Sequence, residues 1–202
     1  MTRISTGTPE AHSEHTTGAS ALGTLFAVGV PAAIGIGGIA VLGWNAISWA
    51  GAAAWGVAGA VAFWIFHSMM MSMSVTRLDI FELLGSFFAT PKTAMCKGIG
   101  FIVHLVDGAV LGIVFAYGIQ LGRLQSSWLT GWAWGVLLWG LSLLLLTNIG
   151  GIHPAIRNHR EGDPGPAAGN FGKTTPVAMF IGHSIYGAAL GVLYFNWPNL
   201  SF

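Results

Sequence analysis

Residues 96–119 read CKGIGFIVHLVDGAVLGIVFAYGI, an apolar run in which Lys97 and Asp107 are the only charged residues. A helix crosses the hydrocarbon core of a bilayer with about 20 mainly apolar residues, so this stretch is long enough to span a membrane. Four other stretches read the same way: Leu22–Trp44, Ile47–Met71, Trp128–Ile149 and Val177–Tyr194. The expected fold is therefore an all-α polytopic transmembrane helical bundle of five spans. Only Asn45 and Ala46 separate the first two spans, which requires a tight hairpin, and Pro31 inside the first span is expected to kink it.

Composition agrees. Of 202 residues, 53% are hydrophobic and 7% charged, against about 25% charged in an ordinary soluble domain. Too few polar groups remain to cover a water-facing surface, so lipid is the expected partner. The formal charge of +1, without a cluster of Lys and Arg, excludes nucleic acid as a partner. The single Cys96 excludes an intramolecular disulfide and a Cys-based metal cluster. The chain divides into a flexible polar cytoplasmic tail at 1–20, rich in Thr, Ser and His, and one transmembrane domain at 21–202.

Positive residues set the expected orientation. Arg3, Arg77, Lys92, Lys97, Arg157, Arg160 and Lys173 all fall on one side of the five-span scheme, and only Arg123 falls on the other. Because Lys- and Arg-rich loops stay cytoplasmic, the N-terminus is expected inside and the C-terminus outside a prokaryotic cytoplasmic (inner) membrane. Trp44, Trp49, Trp128, Trp132, Tyr194 and Trp197 sit at span ends on the outer side, where amphipathic rings favour the headgroup level. Two inner connections stand out. Across Thr76–Phe88, Ile80, Leu83, Leu84, Phe87 and Phe88 recur with helical spacing, which predicts a short helix in the interface plane. Gly150–Thr174 is rich in Gly, Pro, Asn and His without periodicity, and reads as a solvated irregular loop or as a partner-docking or lid segment.

The chain also repeats itself. Phe101, Ile102, His104, Gly108, Ala109, Leu111 and Gly112 recur 79 residues later as Phe180, Ile181, His183, Gly187, Ala188, Leu190 and Gly191. Ala54-Trp55-Gly56-Val57 recurs at the same spacing as Ala133-Trp134-Gly135-Val136. Spans two and three then form one unit (about 50–120) and spans four and five a second (about 128–197), with span one added in front. Two spans per unit make the repeat parallel, about an axis along the membrane normal, with spans three and five expected as neighbours of that axis. Small residues spaced by four let helices approach closely: Gly100, His104, Gly108 and Gly112; His183, Gly187 and Gly191; Gly29, Ala33 and Gly37; Ala54, Ala58 and Ala62.

The segments LDIFELLGSFF (Leu78–Phe88), HLVDGAVLGIVFAYG (His104–Gly118) and GHSIYGAALGVLY (Gly182–Tyr194) resemble a family of small prokaryotic multi-pass membrane proteins of unassigned function, in which a histidine-plus-glycine helix motif occurs twice. The resemblance covers Ala50–Tyr194 and implies architecture only, since it carries no catalytic residue with it.

Ionisable groups inside a membrane are costly unless paired, and each is a functional hypothesis. His104 and His183 lie some 10 to 12 Å in from the cytoplasmic ends of their spans at the rise of an α-helix, and His67 approaches that depth from span two. Asp107 is one turn beyond His104; its counterpart in the second unit is Tyr186. Three readings follow. His104 and His183 could bind a cofactor such as haem, or with His67 a metal ion, although the sequence requires neither. His104, Asp107 and Tyr186 could relay protons or cations, Asp107 orienting the His104 ring or accepting its proton, or Asp107 and Tyr186 could support those ligands as polar neighbours. The same residues could be interhelical hydrogen-bonding groups alone. The run His67-Ser68-Met69-Met70-Met71-Ser72-Met73 suggests Cu(I), but consecutive methionines on a helix point in different directions. No Walker loop, HExxH helix or Ser-His-Asp arrangement occurs. The expected role is an accessory or structural subunit of a membrane complex, joined to other subunits or to its own copies. A small carrier or channel for ions or metals is the alternative.

Overall fold

A computed structural model describes residues 14–200. Of the tail expected over 1–20, residues 1–13 lie outside the described residues, and helix begins at Glu14. Seven α-helices follow: α1 Glu14–Leu42, α2 Trp49–Ser72, α3 Ile80–Gly85, α4 Ala94–Leu121, α5 Trp128–Asn148, α6 Pro154–Arg157 and α7 Thr175–Asn196. Five of them, α1, α2, α4, α5 and α7, are long and apolar enough to cross a membrane, and the apolar spans they contain end within two residues of the expected ones.

Local chemistry sets those ends. Ser48, Thr93 and Ser127 each accept a backbone N–H in the first turn of α2, α4 and α5, and Ser127 completes a capping box with Thr130. Between α1 and α2 the hairpin turns on Gly43 at φ 86°, a conformation that favours glycine. α1 runs through Pro31 as continuous helix.

Packing rests on close approach. α4 lies along α2, α7 lies along both α2 and α5, and α1 bridges α4 and α5. The helices thus run α4, α2, α7, α5 in a curved row, with α1 across its open side. At the α2–α4 crossing, a Cβ on Gly56 would lie 2.2 Å from the Gly108 carbonyl oxygen, and one on Gly112 would lie 2.3 Å from the Ala52 oxygen. At the α5–α7 crossing, a Cβ on Gly135 would lie 2.1 Å from the His183 oxygen and one on Gly191 2.1 Å from the Ser127 oxygen. Such contacts replace the hydrophobic drive that lipid removes.

α2 packs on both α4 and α7. One expectation about these faces needs correction: on α2 the packing stripe is Ala52, Gly56 and Ala60, not Ala54, Ala58 and Ala62, which are only half-buried.

The face carrying α3 is a folded cap. Helix α3 is shorter than Thr76–Phe88 because Thr76 bonds both Leu78 N–H and Thr175 Oγ1, holding that strand of chain outside the helix, and Asp79 then caps Glu82 N–H. α3 sits directly on α4, where Gly100 and Gly85 meet the backbones of Phe81 and Cys96. Lys97 pairs with Asp79 at 2.7 Å and Glu82 at 3.7 Å. The 150–174 connection is not an irregular solvated loop. Its α6 and two short 3-10 segments bury Ile156 and Ala168 against Leu78, Leu83 and Leu146, and buried His153 bonds the Leu83 carbonyl at 3.0 Å and packs at a tilt against Phe87. The opposite face carries a cluster of indoles: Trp44 stacks on Trp49 at 3.9 Å, and Trp55 Nε1 donates to the Trp197 carbonyl at 2.7 Å.

Candidate functional site

The side chains singled out from sequence meet in one place. A cavity of about 130 Å³ lies among α2, α4, α5 and α7 above α3, and His67, His104, His183, Asp107 and Tyr186 all line it, with Ser142. Its walls are otherwise apolar, including Leu83 and Leu84 from α3 and Leu138 and Leu146 from α5. Nothing in the lining is Lys or Arg.

Phe63 of α2 stands amid the imidazoles. Its ring centroid lies 5.6 Å from that of His67, 5.4 Å from His104 and 5.0 Å from His183. The three rings therefore surround an aromatic ring rather than a common point at which a cation could sit.

Hydrogen bonds assign the ring protons. A carbonyl only accepts, so a ring nitrogen facing one carries hydrogen. His67 Nε2 donates to the Leu78 carbonyl at 2.8 Å, and His104 Nε2 donates to the Ala60 carbonyl at 3.1 Å. Both keep a lone pair on Nδ1. That of His67 is sealed from solvent with no partner among the described residues. His183 has the other tautomer: Nδ1 donates to the Met179 carbonyl at 2.8 Å, and Nε2 accepts from the Ser142 hydroxyl at 3.0 Å. Tyr186 donates to the Gly108 carbonyl at 3.0 Å, tying α7 to α4 across the cavity.

Asp107 differs from these. It makes no hydrogen bond or ion pair among the described residues, and it does not bond His104 as its spacing suggested. It is exposed, beside Val106 and Val110 on the outward side of α4. The reason lies in α1. Its loop-side half packs on α5, Gly23 meeting Asn148, whereas its far half packs on α4, Gly38 meeting Tyr117. The α3-side half of α4 is left uncovered by α1, and Asp107 stands at that edge.

This geometry does not fit haem or a multidentate metal centre. A haem macrocycle is several times larger than benzene, which fills an engineered cavity of about 150 Å³. Both ring nitrogens of His183 are engaged, and α2 separates it from His104. Among the described residues no group of three or more His, Cys, Asp or Glu is placed to hold a metal ion. Met69 and Met73 are exposed and outside the cavity lining. Sequence reasoning missed Phe63 and Ser142. An aromatic inside an apolar span carries no signal, but Ser142 was findable as a hydroxyl midway along a run of leucines.

Compared with known proteins, the chain matches no family model, no curated protein and no solved structure.

Proposed function

We propose that the chain is a non-catalytic, multi-pass subunit of a membrane complex in a prokaryotic cytoplasmic membrane, allied to the small membrane proteins its motifs resemble. One observation carries this reading. A Cβ placed on Gly29 or Gly37 of α1 would meet nothing within 4 Å, although the paired ladders of α2–α4 and α5–α7 are filled by neighbouring backbone. A stripe of small residues left open on a span suits the close approach of a further helix, from another subunit or a second copy. Replacing both Gly29 and Gly37 by Leu should abolish the higher-mass species seen by native mass spectrometry of the mildly extracted protein, while its helicity is retained. A wild-type chain that extracts only as a monomer would remove this reading.

The two helix pairs, α2–α4 and α5–α7, are read as copies of one duplicated unit. The 79-residue spacing that relates Gly56 to Gly135 also relates the caps Ser48 and Ser127 and the first helical residues Trp49 and Trp128. Orientation follows the charge bias, with the N-terminus and the α3 face cytoplasmic. Gly162, exposed on that face, should react as a single cysteine only with reagents that reach the cytoplasm; labelling from outside would reverse the orientation. A carrier of small solutes is the second reading, favoured by ionisable residues around a cavity inside the bundle.

A further inference from the structure

Asp107 stands where a membrane span can least hold an unpaired acid. It is the fourteenth of the 28 residues of α4, and at about 1.5 Å per residue that helix is about 42 Å long, close to the thickness of a bilayer with its headgroups, about 40 to 45 Å. The centre of α4, and Asp107 with it, therefore falls near the midplane. Its side chain is exposed between exposed Val106 and Val110, and the ion pairs of the described residues run only from Lys97 to Asp79 and Glu82. An ionisable group at that depth is costly unless it is paired or faces protein or water. The packing beside it shows a seat only half filled. Asp107 lies seven residues before Val114, two helical turns, so the two share one face of α4. α1 covers that face at Val114 and Gly118: a Cβ on Gly35 would lie 3.4 Å from Val114 Cγ2, and one on Gly118 3.5 Å from Ile34 Cγ2. Nearer α3, α1 leans away onto α5, where Gly23 meets Asn148, and the same face of α4 stands open at Asp107.

We propose that this open face of α4 seats a transmembrane helix of a different protein, one that carries a Lys or Arg at the depth of Asp107. Charge decides the occupant. A second copy of the chain has no cation to offer there: among the described spans only Lys97 carries a Lys or Arg charge, ten residues nearer the α3 end and already paired with Asp79 and Glu82. The histidines closest to that depth bond within the bundle. Headgroup cations begin about 15 Å from the midplane. A partner helix carries its cation to the midplane within its own span, and the pairing relieves both sides, since a lone Lys or Arg is as costly there as a lone Asp. The inference rests on the subunit reading and adds the chemistry of one partner. Its surface is separate from the open stripe of α1, because Gly35 and Gly38 face α4 whereas a Cβ on Gly29 or Gly37 meets nothing.

The test uses the full chain in phosphatidylcholine vesicles. The probes are synthetic Leu/Ala transmembrane peptides, identical except for a central Lys, Gln or Leu, and association is read by fluorescence energy transfer. The Lys peptide should associate at least tenfold more tightly than the Gln and Leu peptides, and Asp107→Asn should erase the difference. Asp107 makes no internal hydrogen bond, so the variant should fold; its circular dichroism and melting temperature check this. The reversed pair, Asp107→Lys with a central-Asp peptide, should restore association. Val110→Cys should cross-link to a thiol beside the peptide's central Lys, and Ile65→Cys, exposed on α2, should not. Equal association of the Lys and Gln peptides, association unaffected by Asp107→Asn, or cross-linking at Ile65→Cys in place of Val110→Cys would each overturn the proposal. Dimers of the chain alone that Asp107→Asn abolishes would give the seat to a second copy and overturn it too. Absence of the Lys preference in a wild-type chain that still forms the higher-mass species would overturn this proposal and leave the subunit reading standing.

Discussion

The α2–α4 and α5–α7 pairs use related glycine ladders but are not set in the same register. In the first pair Gly56 faces Gly108 and Gly112; in the second, its counterpart Gly135 faces His183 and Gly187 rather than Gly187 and Gly191. The second crossing is displaced by one helical turn. Position 60 explains it. Ala60 lets α4 approach there, so that a Cβ on Gly108 would sit 2.5 Å from the Ala60 Cβ. The residue 79 positions later is Trp139, whose indole instead donates to the Pro176 carbonyl and packs edge-on against Phe180. Contact therefore shifts toward Ser127, Gly131 and Gly135. One large side chain moves a helix crossing by a turn, and with it the depth and bonding of a histidine.

The largest effect should come from giving the first pair the second pair's residue. Ala60→Trp would drive an indole into the α4 backbone, and overpacking of this kind costs about 3 kcal/mol or more when backbone must move. Unfolding of the purified protein in graded detergent mixtures should show that loss; a near-neutral result would mean that the register is set elsewhere. Next come the crossing glycines. Gly187→Ala would place Cβ 2.1 Å from a backbone oxygen of Gly131, whereas Gly108→Ala meets first the Ala60 side chain. Gly187→Ala should therefore cost about 2 to 3 kcal/mol and Gly108→Ala about 1 to 2. Only the latter should be rescued by adding Ala60→Gly.

The histidines should differ by less. His183→Ala removes two hydrogen bonds and His104→Ala one, and intramembrane bonds are worth about 0.6 to 2 kcal/mol. Melting should place the His183 variant below the His104 variant; the reverse order would break the link between register and bonding. The smallest change belongs to the cap. Lys97 is about half exposed, at 53%, so Lys97→Ala should alter stability by under about 1 kcal/mol, a loss that added salt should diminish.

Periodicity and length located the five spans, because helices facing lipid on one side and helices on the other must stay apolar along their whole length. The ladders of α4 and α7 were legible for the same reason, since only small residues tolerate backbone contact. Register was not legible. The repeat made the two units look equal, and the weight of Trp139 against Ala60 appears only when the facing helix is present. The position of α1 escaped notice because its stripe resembles the others, yet it lies across both α4 and α5. Among the site residues, the meeting of His67, His104, His183, Asp107 and Tyr186 was foreseeable from depth, but their arrangement around Phe63 was not. The fold of the 150–174 connection was hidden because its buried residues, His153, Ala155, Ile156, Pro164 and Ala168, are scattered along it without periodicity and find their contacts at long range.

The indole cluster has a spectroscopic consequence. Trp44, Trp49, Trp128, Trp132 and Trp197 lie at the face opposite α3, more than half of the nine tryptophans in the chain, and all of them except half-buried Trp49 are exposed. Ultraviolet emission from the protein therefore comes mainly from one side of the bilayer. In sealed vesicles, iodide added outside should quench strongly when that side faces outward and weakly when it faces the lumen, so the native chain reports its own insertion direction without a label.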